Sequence, residues 1–422
     1  MFKYPTYLQF CACQARDVHE HGELKAVFPR TVSYEFDSTY TYHSKSIFKY
    51  QTRTAMEFMQ PEEELKLIAE YNRRFPYKVE LHVHLDGAVR PETVLEIARE
   101  REMTDKLPHK TVEELNRDVI LVEPSSLERL LLSFSYFMPI ITGCRKAVSR
   151  IAYERCEDAA KHSIRYMEIR YSPHLFANTV DNGYATEKGD LTPRDVVLAV
   201  NEALERGMKD FGVTVRSILC CMTHQPEWAP EVLALCDEFR DQGVVGIDLA
   251  GMEFEPGTPA EECAIKKVFK KAEKCGIHRT VHAGESGTAR AVKEAIDHFR
   301  AERVGHGYHA YDDRDVYEKV IREHIHLETC PISSIMSRAC EADPQIHPLK
   351  QFVKDGVSYS INTDDPVVLG NTLTDDFKFA GDMGLTDEEI IRGIFNAARS
   401  CFASYDERKR IVRELKQVYG DH

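Results

Sequence analysis

The stretch KVELHVHLDG (residues 78–87) sets His82 and His84 two apart in an apolar run. In an extended chain residues i and i+2 share a face, so the two imidazoles project side by side. Further along, HAGE (282–285) carries His282 and Glu285, RVGHGYH (303–309) carries His306, and NTDDP (362–366) carries adjacent Asp364 and Asp365. Three imidazoles and a carboxylate suit Zn²⁺, a borderline-soft ion that takes N and O ligands. His82, His84, His282 and Asp364 supply that set. One remaining position would hold water, whose pKa falls to about 7 on zinc and yields hydroxide at neutral pH. Glu285, three residues past His282, could donate a proton to a ring nitrogen, which demands a raised pKa. His306 sits between glycines and could orient the attacking hydroxide. Regular strand geometry sends Asp364 and Asp365 to opposite faces, but a turn into Pro366 lets both reach one site. One carboxylate would then ligate the metal and the other accept from a substrate N–H.

These residues meet only if the fold gathers them. From residue 78 short apolar runs alternate with amphipathic stretches: KVELHVHL, RYMEIRYS, TVRSILCCM, VVGIDLAG, RTVHAGE, RVGHGYH, HIHLETC and SYSINTD. Strands alternating with helices imply parallel pairing, and eight of them predict an α/β fold, a closed (β/α)₈ TIM-type barrel. A doubly wound open sheet is the competing topology, but no Gly-rich nucleotide loop follows the first strand. In a barrel the chemistry lies at the C-terminal strand ends. His82 and His84 close the first strand, Gly251 the fourth, and His282 and Glu285 the fifth. His306 lies in the sixth, and Asp364 and Asp365 end the eighth. Between the first two strands, helical patterns near 91–102, 125–138 and 145–161 form an insertion that could cover one barrel face. Residues 71–422 are thus read as the barrel. Residues 1–70, with no clear period, are read as a poorly ordered N-terminal extension with a helix near 61–75, and Met56 as an alternative start.

Composition narrows the partners. A net charge of −14 over 422 residues argues against a broad nucleic-acid surface and for a small neutral or cationic ligand. The apolar run LLLSFSYFMPII (130–141) is short for a membrane span and holds Pro139. No signal-peptide pattern opens the chain, and most of the twelve cysteines sit in apolar periodic segments, as reduced core residues do. A cytoplasmic protein that does not engage membranes, monomeric by preference, is the expectation.

Competing assignments are blander. A lone histidine is usually a core or surface residue, and that is the reading for His19, His21, His324 and His326. HAGE alone could be a strand-ending turn, and TDDP alone an Asp-rich turn before proline. Only their occurrence together at successive strand ends outweighs this. No Cys-x-x-Cys accompanies a His-x-Glu, and no nucleophile elbow or P-loop appears.

The motifs VELHVHLDGA, SILCCMTHQPEW, DLAG, HRTVHAGE, RVGHGYH and SINTDDP, in that order over 78–400, resemble the adenosine deaminase family. The resemblance implies hydrolysis of adenosine and 2′-deoxyadenosine to inosine or deoxyinosine and ammonia in purine salvage, with one Zn²⁺ per chain. It implies His82, His84, His282 and Asp364 as ligands. Glu285 would protonate N1 while zinc-bound hydroxide adds to C6, steered by His306. Asp365 would bind N7, the Gly251 N–H N3, and Asp86 the ribose 5′-hydroxyl, with His84 also bordering the substrate. A carboxylate at 86 favours nucleoside over nucleotide. Met252 and Ile332 depart from the family pattern. A non-catalytic binding protein of the same fold, or a hydrolase for another purine or a pterin, are the rival functions.

Overall fold

The computed structural model describes residues 61–253 and 264–422; most of the expected N-terminal extension, with His19, His21 and Met56, lies outside them. Eight strands follow in chain order: β1 Lys78–His84, β2 Ile164–Tyr171, β3 Thr214–Met222, β4 Val244–Ala250, β5 His278–Ala283, β6 Arg303–His306, β7 His326–Thr329 and β8 Tyr359–Ile361. Each pairs in parallel with the next. Parallel strands flanked by helices are buried on both faces, hence their apolar, β-branched composition. β8 returns to β1 through a parallel Val83–Asp364 bridge, with Asp364 N donating to His82 O (3.1 Å) and His84 N to Asp364 O (2.9 Å). The Asn362 side chain helps to close this seam, accepting from Leu81 N (2.9 Å) and donating to Thr329 O (2.9 Å). The (β/α)₈ expectation holds.

Local signals fix several helices. Thr192 caps Pro193–Phe211 in a capping box with Asp195, and Gly212, at φ 67°, ends it in the left-handed region. The helix Pro61–Arg74 packs on the barrel: Tyr71 and Phe75 are buried in its core, and Phe75 meets the Phe377 ring edge-on at 5.3 Å. Among the described residues no helix is long and apolar enough to cross a membrane. Nine described cysteines are free and seven of them buried, as their apolar settings implied.

The insertion differs in detail. The stretch 125–138 is broken into Leu127–Leu132, a 3₁₀ turn Ser133–Tyr136 and Met138–Ile141. Pro139 lacks an N–H and disfavours the helical region for the residue before it, so a continuous helix cannot pass. A further helix, Val112–Val119, is capped by Thr111. β1 departs from simple alternation. Between Glu80 and Val83 it advances three residues while β2 advances two, from Met167 to Ile169. Such a bulge re-aims side chains. Glu80 therefore pairs with Arg155 of the flanking helix Arg145–Lys161 (2.8 Å), while His82 faces the barrel interior.

Candidate active site and metal centre

The barrel interior carries charge where aliphatic layers are usual. Arg303 bridges Glu168 and Glu328 (2.6 Å each), and Arg170 bridges Glu328 (2.6 Å) and Asp248 (3.2 Å), with every one of these side chains at most 1% exposed. Burial opposes ionisation of Glu328, yet Arg170 and Arg303 hold its carboxyl well below the usual range. An ionised Glu328 can only accept, so His82 Nδ1 donates to it (2.8 Å) and leaves a lone pair on Nε2. At the second carboxylate, His282 Nδ1 lies 3.1 Å from both Asp248 and the Leu249 carbonyl, acceptors alike. Against the effect of burial, Asp248 also raises the His282 pKa, so it is in its neutral form that this ring keeps the proton on Nδ1 and presents an Nε2 lone pair.

What those lone pairs face settles whether a cation fits. His282 Nε2 lies 3.1 Å from His84 Nε2, and His82 Nε2 lies 3.1 Å from Asp364 Oδ1, with His84 Nε2 at 3.5 Å from the same oxygen. His82 Nε2 is buried without a hydrogen-bond partner. Acceptors converging in this way repel one another unless a cation lies among them. The donor set, three neutral imidazoles and a carboxylate, is that of a zinc-type site. Ser333 Oγ donates to the other Asp364 oxygen (2.7 Å), which leaves Oδ1 free to turn to the histidines. Asp364 and His306 adopt left-handed backbone at φ 70° and 65°, a strained conformation for non-glycine residues that here aims both side chains inward.

Above the histidines a cavity opens, walled by His84, Asp86, Gly251, Glu285 and Asp365. Leu127, Leu131 and Phe134 of the insertion close it from the side. Gly251, at φ 98°, takes a backbone conformation that favours glycine. Gly87 allows a close approach: a Cβ there would fall 1.8 Å from Asp365 Oδ1. Glu285 Oε2 lies 3.4 Å from His306 Nε2, and its Oε1 is buried and makes no close hydrogen bond. Burial, helped by the Asp364 charge, raises the Glu285 carboxyl to about 8, so it carries a proton at neutral pH. Burial lowers His306 to about 4 and raises Asp86 to about 6. The Asp365 carboxyl is pushed well above its ordinary range, first by burial and then by Asp364.

The structure thus brings His82, His84, Asp86, Gly251, His282, Glu285, His306, Asp364 and Asp365 together at one barrel end. His326, set aside as structural, is a buried histidine between Ser358 (2.8 Å) and Ser360 (3.0 Å). Arg170, Asp248 and Glu328, which orient the histidines, were missed. Their only signal was charge inside buried strands, in RYMEIRYS, VVGIDLAG and HIHLETC.

A parallel barrel that gathers these donors beside a buried protonated carboxyl defines a metal-dependent hydrolase. The sequence model for adenosine deaminase matches residues 77–418. Adenosine deaminase of Bos taurus is 48% identical over 346 residues, 81% of this chain and 94% of its own. That of Xenopus tropicalis is 46% identical over 351 residues, 81% and 96% of the two chains. The crystal structure of adenine deaminase from Arthrobacter aurescens has a TM-score of 0.70 at 26% identity, covering 82% of this chain and 99% of its own. The chain belongs to the adenosine deaminase family.

Proposed function

We propose that the protein hydrolyses adenosine and 2′-deoxyadenosine to inosine or deoxyinosine and ammonia, with His82, His84, His282 and Asp364 holding one zinc ion. The observation that carries this reading is the pairing of converging lone pairs, 3.1 Å apart, with a buried acid facing the same cavity. A divalent ion held there supplies Lewis acidity that makes water nucleophilic near neutral pH.

The chain's own residues do the rest. Glu285 delivers its proton to the purine N1 as oxygen adds to C6, so the ring does not accumulate negative charge. His306, neutral because burial keeps its pKa near 4, hydrogen-bonds the incoming oxygen and fixes its direction. One proton of the water then passes from that oxygen to the amino group, the C6–N bond breaks, and ammonia leaves, while the other proton of the water restores the acid form of Glu285. The N1–H of the product is the proton Glu285 gave. The Gly251 N–H meets N3. Adenosine N7 has no proton to offer, so the sequence-based expectation of an accepting carboxylate is reversed: Asp365, kept protonated by burial, donates to N7.

Asp86 binds the ribose 5′-hydroxyl, with His84 beside it. Its pKa of about 6 leaves it largely ionised at neutral pH, so it accepts from a hydroxyl and repels a phosphate. Asp86→Asn should therefore lower the preference in kcat/KM for adenosine over AMP by about tenfold, about 1.4 kcal/mol. Assays of both substrates test this, and an unchanged ratio contradicts the ribose contact. The Glu285 titration gives a second expectation. Only protonated Glu285 can donate, so kcat/KM should decline as pH rises through about 8. A profile that stays flat well above that pH would remove Glu285 from the role of acid.

A further inference from the structure

We propose that Glu253, just beyond β4, is the positioning residue for Glu285; this rests on the reading of Glu285 as the acid. The Glu253 carboxylate accepts from three successive backbone N–H groups of the turn after β5: Gly284 (2.9 Å, to Oε2), Glu285 (2.7 Å, to Oε1) and Ser286 (2.9 Å, to Oε1). Gly287 completes the cradle, since a Cβ there would fall 2.2 Å from Glu253 Oε2. Gly284 bends into it at φ +71°.

The arrangement matters because the Glu285 side chain has little to hold it. One of its oxygens makes no close hydrogen bond, with only the Ser337 hydroxyl beside the carboxyl, and the other is 3.4 Å from His306, beyond a strong hydrogen bond. Its location is set by its backbone, and its backbone is gripped by Glu253. Three N–H donors need an acceptor-only group. A carboxylate satisfies all three, whereas an amide must turn its NH₂ toward at least one of them. The Glu253 charge adds to the same end, because a neighbouring anion disfavours loss of the Glu285 proton. Clamp and acid thus come from successive strand ends.

The test uses the metal-loaded full chain and adenosine. Glu253→Gln should lower kcat by about 10²-fold, as misplacement of a reacting group by about 1 Å does, with KM changed much less. Gly287→Ala, which keeps Glu253 but crowds its carboxylate, should cause a loss of the same kind. On a Glu285→Gln background, Glu253→Gln should bring no further fall in kcat, because the clamp acts only through the acid. Normal kcat in both single variants overturns the proposal, and so does a loss that recurs undiminished on the Glu285→Gln background. Failure of the underlying reading looks different: Glu285→Gln alone would then turn over normally.

Discussion

Glu285→Gln should keep its metal and lose about 10²- to 10⁴-fold in kcat, the usual contribution of a positioned general acid. The variant has almost the same shape, so the turn held by Glu253 and the surrounding packing stay in place. It cannot release a proton near neutral pH, and that is the one property the mechanism needs from position 285. Burial has already moved this carboxyl to about 8, close to where an acid serves best. Metal analysis and steady-state rates on the same sample separate chemistry from binding. A metal-loaded variant with near-normal kcat would remove the acid assignment.

Replacing Asp364 should act on the metal itself. Its Oδ1 faces His82 Nε2 and His84 Nε2 at 3.1 and 3.5 Å, and its main chain is bonded to β1 in both directions. Alanine at φ 70° would add backbone strain of about 1–3 kcal/mol, confounding ligation with folding. Asparagine tolerates the left-handed region and isolates the loss of charge. Since residues one shell further out already cost 10- to about 100-fold in metal affinity when changed, Asp364→Asn should exceed about 10²-fold. Turnover should fall with metal content and recover partly in excess zinc. Stoichiometric metal with full activity would contradict ligation by Asp364.

The sequence made the barrel and its site legible because each rests on local chemistry. TVRSILCCM coincides with β3, and Thr192 with Gly212 bounds one helix at both ends. The His-x-His, HAGE and DDP motifs place their donors at strand ends that only a barrel joins. What escaped depends on contacts distant in sequence. The shift in β1 pairing that separates Glu80 from His82 is a property of two strands. Arg170, Asp248 and Glu328 come from three strands and acquire meaning only across the barrel. Glu253 lies beside Met252, a departure from the family pattern, yet it is Glu253 that carries the contacts with 284–286. The raised pKa of Asp365 likewise comes from burial and from Asp364, which one residue's type does not reveal.

Of all these tests, the most direct is to incubate the metal-loaded protein with adenosine in oxygen-labelled water, with and without a chelator, and analyse the products by mass. The account predicts inosine carrying one labelled oxygen, an equal amount of ammonia, and neither once the metal is stripped. Unchanged adenosine with folded, zinc-loaded protein, or full turnover after metal removal, would contradict it.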